Sequence, residues 1–100
     1  MPFPDRFATG DVLLDIEARG RRALIETQAA EAAQRADCAP EPVLDALLAR
    51  EALGSTALGR GIAMPHAAVA EARSPAILFA RLRRPVEFEA RDGEPVDLVV

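Results

Sequence analysis

Residues 50–66 read Arg50-Glu51-Ala52-Leu53-Gly54-Ser55-Thr56-Ala57-Leu58-Gly59-Arg60-Gly61-Ile62-Ala63-Met64-Pro65-His66. The stretch changes character twice. It begins as the end of an apolar repeat, Val43, Leu44, Leu47 and Leu48, whose spacing predicts a helix through Leu53. Gly54 then stands where a left-handed backbone is needed after a helix end. Ser55 to Gly61 is a loop of small residues. Gly61 to Met64 is short and apolar, and Pro65 stops it. Proline fixes its own backbone torsion and biases Met64 towards an extended conformation. His66, the single histidine of the chain, is therefore presented by a stiff element at the mouth of a loop.

Upstream of this stretch, Ala39-Pro40-Glu41-Pro42 breaks one helix and favours the start of the next, because proline is tolerated in a first turn. Leu24, Ile25, Ala29, Ala32, Ala33 and Ala36 share one broad face and predict a helix over 21–37 whose face packs into a core. Val12 to Glu17 has the look of a short strand, and Met1 to Gly10 that of an extended arm. Downstream, Ala67 to Ser74 is a polar connection with room for a helical turn. Ala76 to Leu82 is the clearest strand. Val86, Phe88 and Ala90 alternate with Glu87 and Glu89 as in a half-exposed strand, Asp92-Gly93 marks a turn, and Val96 to Val100 opens a further strand. There is no internal repeat and no linker, so residues 1–100 form a single domain. The chain stops inside an apolar run. A longer version is expected to continue that strand and add helices that cover the sheet.

Composition narrows the functional classes. The chain has 100 residues, half of them apolar, with four Phe and neither Tyr nor Trp, so its core rests on Leu, Ile, Val and Ala. A net charge of -4 argues against nucleic-acid binding, which calls for a basic face. The basic side chains are all arginine, whose planar guanidinium suits phosphate. The one cysteine, Cys38, cannot form an internal disulfide and reads as a small hydrophobe. No signal peptide is visible, and no stretch approaches the roughly 20 apolar residues of a membrane span, so a cytoplasmic protein without membrane insertion is expected.

On the residues alone, His66 has two readings. A lone histidine more often packs or hydrogen-bonds locally. A neutral imidazole at the end of a stiff strand also offers a ring nitrogen with a free lone pair, which can attack phosphorus. Ser55 and Thr56 supply hydroxyls, the loop glycines expose N–H groups that can face an anion, and Arg50 and Arg60 could offset phosphoryl charge. Each has a plainer alternative: Arg50 bonding the last carbonyls of its helix, Ser55 and Thr56 bonding their own loop. A metal site is not indicated, since one His and one distant Cys do not make a ligand set. Gly54 and Gly59 have the separation of a nucleotide-binding phosphate loop, but Arg60 and Gly61 replace its lysine and hydroxyl residue, so that mechanism is missing.

Taken whole, the run RE-x-x-GST-x-x-G-x-GIA-x-PH over residues 50–66 resembles the active-site segment of the fructose/mannitol-type IIA domains of the bacterial phosphotransferase system, with the nitrogen-regulatory branch the most similar in texture. Pro85-Val86, Phe88 and Pro95-Val96-Asp97-Leu98 resemble the family's later strands, so the likeness covers about residues 20 to 100. The resemblance implies an α/β domain with a central mixed β-sheet flanked by helices, C-terminally incomplete in this chain, and no organic cofactor. It implies that His66 accepts a phosphoryl group from a histidine phosphocarrier, HPr or its nitrogen-branch counterpart. Arg50 would be the active-site arginine, and Ser55 and Thr56 the phosphoryl-stabilising hydroxyl pair. Glu51 matches the motif with no role attached beyond an ion pair with a neighbouring arginine. The chain would be a component carrying a phosphohistidine intermediate rather than a stand-alone enzyme, signalling to partners such as potassium transporters and sensor kinases. Two alternatives stand beside this: a sugar-specific IIA component that passes the group to a IIB transporter domain, and a binding module that accepts no phosphate. The sequence departs from the family in having Ala67 where members often have Gly, and in lacking a second histidine.

Overall fold

A computed structural model describes residues 12–100. The extended arm expected at residues 1–10 lies outside the described residues. Strand β1 (Val12–Ile16) is followed by helices α1 (Arg21–Ala36) and α2 (Pro40–Ala52). Strands β2 (Ala57–Gly59), β3 (Ile62–Ala63), β4 (Phe79–Val86) and β5 (Val96–Val99) complete the order. The five strands form one mixed sheet in the order β1-β4-β5-β3-β2. β1 runs parallel to β4 and β3 parallel to β5, while β4–β5 and β2–β3 are antiparallel.

One row of side chains crosses the whole sheet. The register pairs Leu13 with Ala80, Ala80 with Val99, Val99 with Ala63, and Ala63 with Ala57. Three of the five are alanine, so the sheet surface is shallow there. Leu24, Ile25, Ala29 and Ala33 of α1 and Val43 and Leu47 of α2 bury against this face. Neighbouring residues on a strand face opposite ways. Arg81, Leu98 and Ile62 accordingly stand on the other face, exposed or half-buried.

The helices follow from their sequence. Pro42 and Pro40 sit in the first turn of α2, where a missing N–H costs nothing, and Glu41 and Arg50 place acid and base where the helix dipole favours each. α1 ends at Asp37 in the left-handed region, with the N–H groups of Asp37 and Cys38 returned to the Ala33 carbonyl.

Four expected elements differ. The small-residue loop at 55–61 is a hairpin, β2 and β3, because Met64 N–H returns to the Thr56 carbonyl at 3.0 Å and closes a ladder that its glycines disguise. The strand expected over 76–82 begins later, at Phe79, opposite Val12; Ile77 and Leu78 instead line a cavity against the helices. The alternating strand over 86–90 ends at Val86. Glu89 adopts a φ of 56° that breaks the extended run, yet Phe88 remains completely buried. The connection at 67–74 holds no helix, only a turn closed by Ala72 N–H on the Val69 carbonyl.

The β2–β3 turn needs its glycines. Gly59, Arg60 and Gly61 all have positive φ, and a Cβ on Gly61 would meet Asp97 Oδ1 at 3.0 Å. The turn is tied to the 92–94 segment by Asp92, whose carboxylate accepts Arg60 N–H at 2.8 Å and Glu94 N–H at 3.0 Å. The bond from Arg60, and after it that from Glu94, holds the Asp92 carboxyl below its ordinary value of 3.8. A carboxylate so lowered contributes stability above its unfolded pKa and loses it as pH falls through the folded one. Asp92→Asn is therefore expected to lower the melting temperature at neutral pH, with the gap to wild type closing as pH drops below 3.8. Thermal unfolding followed from neutral pH to about pH 2 checks this; a gap independent of pH contradicts it.

Candidate functional site

The site grows from the end of β3. Two residues of strand are held between β2 and β5, and Val100 N–H donates to the Ala63 carbonyl at 3.0 Å. Pro65 is buried and His66 exposed, so the proline anchors what the histidine presents. The imidazole Nδ1 lies 2.9 Å from the Met64 carbonyl oxygen. A carbonyl oxygen only accepts, so in this bond Nδ1 carries the hydrogen and Nε2 keeps its lone pair. The backbone has selected a tautomer with its free nitrogen turned away from Met64.

The other expected residues lie on the hairpin's incoming side. Arg50, in the last turn of α2, donates from Nη1 to the Gly54 carbonyl at 2.9 Å. Ser55 donates its hydroxyl to the Phe88 carbonyl and accepts Ala57 N–H at 3.1 Å. Thr56 is only 4% exposed; its hydroxyl donates to Glu51 Oε1 at 2.6 Å and its N–H to Glu51 Oε2 at 3.1 Å. Backbone bonds join this side to the histidine through Thr56 and Met64. Among the described residues, no direct hydrogen bond joins His66 to Arg50, Ser55 or Thr56.

The expectation that the loop's N–H groups face a bound anion is corrected in part. Arg60 N–H is taken by Asp92 and Gly54 N–H by the Glu51 carbonyl. An internal carboxylate already fills the turn. Arg60 itself is exposed at the hairpin tip.

Sequence reasoning undervalued Glu51. It is 8% exposed, and Arg21 of α1 approaches its Oε2 at 3.7 Å. The same guanidinium reaches Glu89 at 3.5 Å and lies 6.0 Å from the Phe88 ring centre. The place of Glu51 in the run RE-x-x-GST was the available signal; its burial and its arginine partner, 30 residues upstream, were not. Among the described residues, no cluster of three or more His, Cys, Asp or Glu side chains could hold a metal ion.

His66 borders a cavity of about 630 Å³, walled by apolar side chains that include Val43, Leu47 and Leu78, with Arg73 also lining it. That is within the usual size of small-molecule pockets. Gln28 of α1 also lines it, 6% exposed, with its Oε1 lacking a hydrogen-bond partner among the described residues. Met64, Pro65 and His66 line this cavity too, and α2, which carries Arg50, contributes Val43 and Leu47 to it.

Comparison with known proteins finds relatives over most of the chain. Residues 7–100 match the family model described as phosphoenolpyruvate-dependent sugar phosphotransferase system, EIIA 2. A protein named nitrogen regulatory protein from Bradyrhizobium diazoefficiens is 39% identical over 99 residues, 99% of this chain and 65% of that protein. The crystal structure of nitrogen regulatory protein IIA-Ntr from Neisseria meningitidis superposes with a TM-score of 0.82 at 37% identity, covering 90% of this chain and 62% of that one. The crystal structure of IIA mannitol from Escherichia coli gives a TM-score of 0.81 at 25% identity, covering 94% and 68%. The chain thus spans just under two thirds of the length of these two nitrogen regulatory relatives and about half that of the nitrogen regulatory protein of Escherichia coli.

The side-chain oxygen of Gln28, without a partner among the described residues, generates a test. A buried polar atom without a hydrogen bond costs about 1–3 kcal/mol, and an apolar side chain of similar size removes that cost. Gln28→Leu is expected to stabilise the chain by about 1 kcal/mol, raising the melting temperature by roughly 4–8 °C. Thermal unfolding checks it; an unchanged or lower melting temperature contradicts it.

Proposed function

The chain belongs to the phosphoenolpyruvate-dependent sugar phosphotransferase system EIIA 2 family, and from that premise we propose that His66 accepts a phosphoryl group and that its phosphorylation state is a regulatory signal. The observation that carries this reading is the exposed imidazole whose Nδ1–H is held by the Met64 carbonyl, leaving Nε2 free. The donor is a phosphohistidine on HPr or a nitrogen-branch HPr-like phosphocarrier. The Nε2 lone pair attacks phosphorus in line with the donor's N–P bond. That bond breaks, and its electron pair returns to the donor's ring. His66 gains an Nε2–P bond and keeps its Nδ1 hydrogen, so no proton has to move. Positive charge develops on the ring, and the Met64 carbonyl dipole faces it, at a fixed distance set before the reaction begins.

The remaining residues take supporting parts. Arg50 exchanges its bond to the Gly54 carbonyl for the arriving phosphoryl oxygens; its planar fork suits them. Of the hydroxyl pair, half-buried Ser55 is the one able to turn towards the phosphoryl group. Thr56, buried on Glu51, supports the loop behind it. The phosphorylated ring carries up to two added negative charges, enough to change which partner surface fits around the hairpin. Those partners, in this reading, are proteins such as a potassium transporter or a sensor kinase. Regulation is preferred to sugar uptake because the similarity to a nitrogen regulatory protein runs over 99% of the chain. A cytoplasmic place follows from the proposed donor; no helix among the described residues is long and apolar enough to cross a membrane.

Incubation with the upstream phosphocarriers and labelled phosphoenolpyruvate is expected to label the wild-type chain and leave His66→Ala unlabelled. An unlabelled wild type, or equal label on both, overturns the reading. Arg50→Ala is expected to change stability by less than about 1 kcal/mol, because its bond is exposed. It should slow phosphoryl transfer by on the order of a hundredfold, as loss of a charge-stabilising donor does. Single-turnover rates beside thermal unfolding separate the two effects.

A further inference from the structure

We propose that Glu51 is a positioning residue that sets the tautomer and orientation of the His66 imidazole through the backbone of Thr56 and Met64. A buried carboxylate is costly unless its lone pairs are satisfied, and the ion pair it forms adds little net stability over an apolar replacement. What such a group does well is fix geometry. Glu51 grips Thr56 at two points, N–H at 3.1 Å and hydroxyl at 2.6 Å. The Thr56 carbonyl accepts Met64 N–H at 3.0 Å. The Met64 carbonyl, two residues before the ring, accepts Nδ1–H at 2.9 Å. Arg21 completes the chain from behind, lying between Glu51 and Glu89. A path therefore runs from the start of α1 to the imidazole, by an ion-pair contact of 3.7 Å from Arg21 to Glu51 and by hydrogen bonds from Glu51 onward, and Glu51 is its one buried charged member.

The consequence is specific. Releasing Thr56 lets the β2–β3 ladder shift at Met64, and the Nδ1–H bond loses its acceptor position. The ring then drifts towards the Nε2–H form that an unconstrained imidazole favours, which places the hydrogen on the nitrogen required to attack. This inference rests on reading His66 as the phosphoacceptor, but its readout is the imidazole alone and needs no phosphoryl donor. Failure of labelling and failure of the tautomer measurement are thus separate results.

The experiment is nitrogen-15 NMR of the histidine ring in the 100-residue chain. Wild type is expected to show the Nδ1–H tautomer in excess. In Glu51→Ala the ratio of Nδ1–H to Nε2–H should fall by roughly threefold to tenfold, the change that loss of one ordinary hydrogen bond imposes on an equilibrium. Glu51→Gln, which can still accept Thr56 N–H, should retain most of the wild-type ratio. Thr56→Val, which removes the hydroxyl but keeps the side-chain shape, provides a milder variant should Glu51→Ala not fold, and should lower the ratio. Leu44→Ala loosens the same helix where it packs on the core, away from this path and from the cavity beside His66, and should lower the melting temperature with the tautomer ratio unchanged. An unaltered ratio in Thr56→Val and in folded Glu51→Ala overturns the proposal. So does an equal shift in Leu44→Ala, which would assign the effect to general loosening.

Discussion

The structure depends on a two-residue strand. Ile62 and Ala63 are paired on both sides, with β5 in parallel and β2 in antiparallel register. Without that insertion the sheet would lose β2 and the continuous row from Leu13 to Ala57. His66, three residues beyond Ala63, would have no fixed origin. So short a strand has little intrinsic stability. Its position is imposed by long-range bonds: Asp97 and Leu98 N–H to the Gly61 carbonyl, Met64 N–H to Thr56, and Val100 N–H to Ala63. Burial finishes the task, since Ala63 is completely covered by the helices.

Alanine in the sheet's central row and on α1 explains how a chain poor in aromatics builds a dense interface. Ala57, Ala63 and Ala80 meet a helix face carrying Ala29 and Ala33, and larger side chains fill the margins. Phe88, the largest fully buried side chain, enters from a loop and not from a strand. Its carbonyl takes the Ser55 hydroxyl and its ring lies near Arg21. One buried ring thus connects the core to the loop that precedes β2. Electrostatics at the site follow the same economy: Arg21 and Arg50 act on internal acceptors, and the carboxylate that bonds the glycine turn is Asp92.

The parts legible in the sequence were those whose cause is local. Both helices showed in their apolar spacing and in Pro40 and Pro42, and β5 in the run 96–99. The segment 50–66 carried the family likeness, and the mixed sheet that the likeness implied is the one present. What escaped had distant causes. Ala57–Gly59 reads as loop because its strand character comes from pairing with β3. Ala76 to Leu78 reads as strand because periodicity cannot show that β1 meets β4 only from Phe79 onward. Glu51 could be singled out as a motif residue, but its grip on Thr56 and its link to Arg21 are facts of three dimensions. The same holds for Asp92, whose role comes from Arg60, 32 residues away.

The order of the strands also governs how the chain can assemble as it emerges. Of the described strands β1 is made first, yet its partner among the described residues is β4, which begins at Phe79. β3 likewise waits for β5, the last of the described strands. Until those residues exist, β1 and the hairpin have no central strands to join, while α1 and α2 are adjacent in sequence and in contact with each other. Loop closure over such separations is slow relative to local pairing. A helical pair with an unclosed sheet is therefore the form in which the growing chain must wait, and the apolar face that later receives Ala63, Ala80 and Val99 is open to solvent, or to a chaperone, for that interval.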